Sequence, residues 1–353
     1  MKLFKSYIRA MIYAYNLATF KEDKIPKLNY KDEFYKGLNQ QDTQVRIFYS
    51  NQALAQNIII FPGASPYAEE HPGVLMLGDS LSKAGYNVYL PRIPDLKKLL
   101  LSKENVDWFA HCYMELVKTK IQNKKNIMIV GLSYGGATLL RATLDKRMQI
   151  NPPKSILAYG TYYSINTGLD FFINGIINYK NKTYKIKPHE WGMIVMFYNF
   201  INTLDSTMNT DLLKEILYHR INDEFDLIEQ KAKSLNKAEN LLLSNILEGK
   251  LTQEMRVLID KMIDKNRETL SFLSPEKWSK DIDKKVFIMH GANDSMVPFT
   301  ESILLHENLK NSHLFISFLY EHKEISTNKG FFFKVKEFIK LINFNAQYIK
   351  YNL

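Results

Sequence analysis

Ser133 stands at the centre of Gly131-Leu132-Ser133-Tyr134-Gly135, where a hydroxyl set between two glycines could act as a nucleophile. Its flanks say more than the pentapeptide. Asn126-Ile127-Met128-Ile129-Val130 is a short, almost fully apolar run of the kind that forms a doubly buried strand. Gly136-Ala137-Thr138-Leu139-Leu140-Arg141-Ala142 begins with small residues and reads as a helix. Strand, sharp turn and helix would hold the serine in a strained conformation with its hydroxyl above the sheet. Strand and helix crowd together there, so glycine is the residue that fits at 131 and 135. For the pentapeptide alone, a Gly-Ser turn without chemistry is the competing reading.

A serine hydroxyl is a weak nucleophile until a base takes its proton and a third group orients that base. Lys285-Val286-Phe287-Ile288-Met289 is a second buried-strand run, and it leads into His290-Gly291-Ala292-Asn293-Asp294-Ser295-Met296-Val297-Pro298. Taken with G-x-S-x-G, this H-G-x-x-D-x-x-V-P resembles the acid-bearing loop of α/β-hydrolase-fold serine hydrolases. The resemblance covers about Asn57 to Gly160 and Lys284 to His322, and it implies Asp294 as the triad acid. An aspartate that only stabilises its own turn is the alternative.

In that family the chain order is serine, acid, histidine, which puts the base just past the next strand. His313-Leu314-Phe315-Ile316-Ser317-Phe318-Leu319-Tyr320 reads as that strand, so the resemblance implies His322 as the base. Glu321 stands where many hydrolases carry glycine. His290 precedes the acid and is expected to hydrogen-bond within its turn. His313 is at the wrong end of the strand, His306 falls on a predicted helix over 301–309, and His71, His111, His189 and His219 lie outside the order.

An acyl-transfer site also needs donors aimed at the developing oxyanion. The resemblance implies the Tyr134 N–H and, after the strand Asn57-Ile58-Ile59-Ile60-Phe61, the Ala64 N–H in Pro62-Gly63-Ala64-Ser65. Pro62 replaces the histidine usual there, which removes one donor and spares Ala64.

The implied fold is α/β: a mostly parallel central sheet flanked by helices, with an inserted helical cap. The expected divisions are an N-terminal helix and connector (1–42), hydrolase core (43–160), cap (161–282) and the rest of the core (283–353). Lys24 to Asp42 reads as connector and the alternating Thr43 to Tyr49 as an edge strand. Between 161 and 282 no strand-like alternation is evident. Met255, Leu258, Ile259, Met262 and Ile263 mark one helix, and Leu212, Leu213, Ile216 and Leu217 another. Ser274-Pro275-Glu276 fits an N-cap followed by proline at the first helical position. Met193 to Phe200 is apolar almost all round, so it must be buried. Met196, Phe197 and Phe200 are the candidate lining of an acyl pocket, with plain packing of cap on core as the alternative.

Leu3, Phe4, Tyr7, Ile8, Met11, Ile12 and Tyr15 recur at helical spacing among Lys2, Lys5, Ser6 and Arg9, which predicts an amphipathic helix too short and too charged to span a bilayer. Packing of that stripe onto the protein's own body is the default, and in-plane membrane contact is the functional alternative. The tyrosines, Asn16 and the lack of a small-x-small site argue against a signal peptide.

The 353 residues can bury one large core, and a hydrophobic content of 46% is ordinary for a globular chain. One cysteine, Cys112, excludes an intrachain disulfide and suits a reducing cytoplasm; on the predicted helix 105–121 it reads as a small buried hydrophobe. Basic and acidic residues balance between 161 and 280, so the surplus of +10 falls wholly outside that stretch. No nucleic-acid motif accompanies the lysines, and a plain lysine-rich surface competes with one that meets anionic lipid or substrate. There is no H-E-x-x-H and no cysteine pair for a metal, and Gly249-Lys250-Leu251-Thr252 lacks the earlier glycine of a P-loop. No cofactor is implied. The expectation is a serine hydrolase of carboxylic esters, cytoplasmic or peripheral to a membrane. Thioesterase, lipase or peptidase chemistry on the same triad, or a binding protein that keeps the fold without turnover, are the rivals.

Overall fold

The computed structural model describes residues 1–52, 54–187, 189–204, 207–318 and 330–353. Eight strands form one sheet in the order β1-β2-β4-β3-β5-β6-β9-β10. They are β1 Lys31–Lys36, β2 Asp42–Phe48, β3 Gln56–Phe61, β4 Tyr86–Pro91, β5 Met128–Leu132, β6 Ser155–Tyr159, β9 Val286–Gly291 and β10 Ser312–Ser317, while β7 Ile176–Tyr179 and β8 Lys182–Lys185 pair separately. β1 and β2 run antiparallel to their neighbours, and every pair from β4 to β10 is parallel.

Burial explains the arrangement. Ile58, Ile59, Ile60 and Phe61 of β3 and Met128 and Ile129 of β5 are almost wholly buried, because helices cover both faces of a parallel sheet. Four of the parallel connections cross over through Pro72–Lys83, Glu104–Thr119, Tyr134–Ala142 and Phe299–Asn308, and the fifth, from β6 to β9, through the inserted stretch. Cys112 lies fully buried on the second of these, and burial raises its thiol pKa.

Three expectations need correction. The stretch from Lys24 to Asp42 is more than a connector, because Lys31–Lys36 forms the edge strand and moves β2 one place inward. Its charged residues hide it from a hydrophobic pattern. Only Tyr35 is buried, donating to the Arg92 carbonyl at 2.7 Å, while Asp32 accepts two bonds of 2.8 Å from Arg46 and Glu33 meets Lys120 at 3.0 Å. The inserted stretch is not purely helical either. β7 and β8 form a hairpin whose two-residue loop, Lys180 and Asn181, has φ of 47° and 59°. Positive φ at both loop residues suits the strand twist, but lysine is a poor marker for it. Ser274 does precede a helical turn that Pro275 opens, but the turn is a single 3-10 one and the Ser274 hydroxyl does not cap it, donating instead to the Leu270 carbonyl and accepting from the Ile165 N–H.

Between β6 and β9 the helices Ile165–Asn174, Trp191–Phe200, Thr210–Ile221, Phe225–Ala232, Lys237–Leu247, Gln253–Lys265 and Arg267–Leu273 enclose an apolar core of their own, with Ile194, Phe197, Leu213 and Met262 at its centre. The N-terminal helix, Lys2–Ala18, packs on the C-terminal helix, Phe331–Asn352. Its buried residues are Ser6, Arg9, Ala10 and Ala14; of the apolar stripe Tyr7 bonds Asn343 of that helix while Leu3, Phe4, Ile8, Met11, Ile12 and Tyr15 are exposed, so the default expectation for the stripe holds only at Tyr7.

Candidate active site

Ser133 ends the β5 run and precedes the helix Tyr134–Ala142 with φ 52° and ψ −125°, a conformation L side chains rarely adopt. Its N–H donates to the Tyr159 carbonyl at the end of β6 at 2.7 Å, which ties the turn to the next strand. The glycines are required. A Cβ on Gly131 would lie 2.7 Å from the Gly135 carbonyl oxygen, and one on Gly135 would lie 2.1 Å from the Pro62 carbonyl oxygen. The same packing seats the loop after β3 on the serine: a Cβ on Gly63 would be 3.2 Å from the Ser133 Cβ.

Ser133 opens on a cavity of about 170 Å³. Ala64 and Tyr134 line it, together with Tyr162, Ser164, Ile165, Leu273, Met296 and Val297. The Tyr134 N–H belongs to a first helical turn, where such groups have no intrahelical acceptor, so it is a donor suited to an anion. The Tyr134 ring is held by a 2.8 Å bond from its hydroxyl to the buried Asn105 Oδ1.

The helix Trp191–Phe200 forms one wall. Trp191, Gly192, Val195, Met196 and Phe200 face the cavity, whereas Phe197 does not. Phe197 is fully buried in the core of the inserted helices, which corrects its expected place in the lining. Both faces of this helix are apolar because one lines the cavity and the other packs its own core. Trp191, Val195 and Tyr162 were missed in the sequence, where an all-round apolar helix carries no directional signal.

Asp294 follows β9 and is 1% exposed. Its Oδ1 accepts from the Met296 N–H at 2.8 Å and the Val297 N–H at 2.9 Å, and both of those residues line the Ser133 cavity. Its Oδ2 lies 3.5 Å from His290 Nε2. His290 is fully buried, donates from Nε2 to the Val297 carbonyl at 2.9 Å and pairs through Nδ1 with Ser302 Oγ at 2.6 Å, as its place before the acid predicts.

His322 falls outside the described residues. β10 runs parallel to β9, with the Ala292 N–H donating to Ser317 at 2.7 Å, so the chain leaves β10 at the end of the sheet that carries Asp294. The other histidines have evident structural work. His313 opens β10 opposite Phe287 and stacks on Phe344, and burial with Lys285 nearby lowers its pKa. His71 accepts from the Gly73 N–H at a helix start, His111 bonds the Lys36 carbonyl, His219 pairs with Glu224 and His306 with Ser312. His189 reaches the acid loop by its backbone, donating to Ser295 at 3.0 Å. Among the described residues, no cluster of His, Cys, Asp and Glu could hold a metal.

Where the chain leaves and rejoins the sheet, Glu301 fastens the first of the two crossings. Its buried carboxylate accepts from the Tyr163 N–H at 2.9 Å and the Ser164 N–H at 2.8 Å, and burial raises its pKa despite those donors. The returning 3-10 turn is tied to it by the Glu276 N–H to the Tyr163 carbonyl and by Ser164 Oγ to Glu276, both 2.9 Å.

A mostly parallel sheet in this order, entered by an antiparallel pair, with Ser133 at the turn after β5 and Asp294 in the loop after β9, has the α/β-hydrolase fold. No protein-family model matches the chain, and a search of curated proteins finds no match. Among solved structures it is similar to an esterase of Exiguobacterium antarcticum at 15% identity and a TM-score of 0.46, covering 91% of this chain and 100% of that one. It is also similar to an esterase of Pyrococcus furiosus, at 12% identity and 0.49 over 94% and 95% of the two chains. A third is an α/β-hydrolase superfamily protein of Enterococcus faecalis, at 13% and 0.48 over 91% and 98%. The fold assignment stands on the strand order itself.

Proposed function

We propose that this chain is a serine hydrolase acting on carboxylic esters with an apolar acyl group. One observation carries the reading: a serine held at φ 52° opens directly on an apolar cavity that Ala64 and Tyr134 share. In this reading Ser133 Oγ attacks the ester carbonyl while His322 takes its proton, and Asp294 orients the imidazole and stabilises its cation. The N–H groups of Ala64 and Tyr134 receive the oxyanion. His322 then protonates the leaving alcohol, and water attacks the acyl-enzyme with the same histidine as base.

The inserted helices serve as a cap, and Trp191, Val195, Met196 and Phe200 take the acyl chain out of water. Thioesters, lipid esters and amides use the same nucleophile. The wall favours an apolar acyl group.

The test is labelling by a fluorophosphonate probe together with hydrolysis of p-nitrophenyl esters of increasing chain length, with thioester and aminoacyl substrates alongside. Wild type should label and hydrolyse, and Ser133→Ala should do neither, with hydrolysis lower by a factor on the order of 10⁶. Labelling that persists in Ser133→Ala, or a wild-type protein inert to every substrate, would overturn the reading.

A further inference from the structure

The helix Lys2–Ala18 turns its apolar stripe outward. Leu3 is 53% exposed, Phe4 74%, Met11 49% and Tyr15 67%, and Ile8 and Ile12 are also exposed. Its inner face is made of small and polar residues. Ser6, Ala10 and Ala14 let the helix approach closely, while Arg9 reaches inward to Gln52 Oε1 at 2.7 Å and Gln56 Oε1 at 3.3 Å and lies over the Tyr86 ring. Sequence periodicity therefore finds the stripe, and close packing of small residues decides that it faces out.

The patch continues onto the neighbouring helix. The Tyr7 hydroxyl donates to Asn343 Oδ1 at 3.1 Å. Tyr7, Tyr13 and Tyr348 share one apolar cluster between the two helices. Val335 and Ile339 stand eight and four residues before Asn343 on the same helical face and are 41% and 52% exposed.

The charges around this patch have one sign. Lys2, Lys5, Lys336 and Lys340 are exposed, and no Asp or Glu occurs in residues 1–21. Glu337, the one acidic residue of the Phe331–Asn352 helix, is 2% exposed and bonded to Lys340 at 2.6 Å. Large apolar side chains gathered on one exposed helical face mark a contact site. A second copy of a chain with net charge +10 would bring lysines against lysines there, whereas anionic lipid supplies both an apolar layer and complementary phosphates. No helix among the described residues is long and apolar enough to cross a membrane, so the contact must lie in the plane.

We infer that the exposed face of the helix Lys2–Ala18, extended by Val335 and Ile339, docks in the plane of an anionic lipid bilayer. Leu3, Phe4, Ile8, Met11 and Ile12 enter below the headgroups, and Lys2 and Lys5 meet the phosphates. The site is separate from the Ser133 cavity and stands whether or not the ester reading holds.

Co-sedimentation of the full chain with phosphatidylcholine vesicles, with and without phosphatidylserine, tests it at low and high salt. Binding is expected with phosphatidylserine, weakened by high salt through screening of the lysines. The double substitution Phe4→Glu and Met11→Glu should weaken it by at least about tenfold, and Lys2→Glu with Lys5→Glu should remove the preference for anionic lipid. Both variants should keep the wild-type circular dichroism and thermal transition, since the replaced side chains are exposed. Failure to bind either vesicle would overturn the proposal, as would binding indifferent to these substitutions. So would a concentration-dependent dimer in light scattering that Phe4→Glu dissolves, which would assign the face to a second copy.

Discussion

Gly135 and Pro62 stand so close that a Cβ on the glycine would lie 2.1 Å from the proline carbonyl oxygen. The helix that begins after Ser133 therefore rests directly on the loop that carries Ala64, and neither can move without the other. Gly135→Ala should push that loop away. Stability should fall by about 1–3 kcal/mol, as for other overpacked contacts, and ester hydrolysis should fall by more than binding of a substrate analogue. Denaturant titration and a split of kcat from KM would check this.

The strained turn at Ser133 makes a second expectation. Glycine adopts φ 52° and ψ −125° without the steric cost that serine bears. Ser133→Gly should raise stability by about 1 kcal/mol or more while abolishing fluorophosphonate labelling. A variant that loses labelling and also loses stability would show that the turn is not strained in solution.

Asp294→Asn and His322→Ala should each abolish ester hydrolysis, and His313→Ala should retain it. His290→Ala falls between: its ring bonds hold Ser302 and the Val297 carbonyl beside Asp294, so it should lower thermal stability first and activity through the loosened loop. Activity assays beside melting curves separate the two effects. Full activity in His322→Ala would move the base elsewhere.

Glu301 supplies the pH dependence. Burial raises its pKa above the ordinary 4.5, so the folded chain holds this proton more tightly than the unfolded chain does. Its ionisation accordingly lowers stability as pH climbs through the window above 4.5, and acidification restores that stability. Glu301→Gln keeps an oxygen for the Tyr163 and Ser164 N–H groups and removes the charge. The advantage of the glutamine variant in melting temperature should shrink from about pH 7 to about pH 4. A difference that does not change with pH would contradict the raised pKa.

Two consecutive residues separate pocket from core on one helix. Met196 lines the Ser133 cavity, so Met196→Trp should shorten the preferred acyl chain and leave labelling intact. Each methylene excluded from the pocket forfeits about 0.8 kcal/mol. Phe197 packs inward, so Phe197→Ala should cost about 3–5 kcal/mol of stability with an unchanged chain-length profile. Melting curves and the ester series read both outcomes.

What the sequence determined by itself is local. The turn at Ser133 is legible because strand, glycines and helix are consecutive, and the apolar runs of β3, β5 and β9 are legible because burial on both faces removes polar residues. The loop that carries Asp294 directly after β9 is readable for the same reason of adjacency. Tertiary structure decided the rest, where contacts join residues distant in the chain. β1 is held by Arg46, Arg92 and Lys120 from elsewhere, so its own charged sequence hid it. Met196 and Phe197 are equally apolar, and only the packing of the Trp191–Phe200 helix between cavity and core tells them apart. On the helix Lys2–Ala18 the periodicity is right and, Tyr7 apart, the stripe faces outward, because small side chains at Ser6, Ala10 and Ala14 permit a closer approach than Leu3, Phe4 and Met11 would allow.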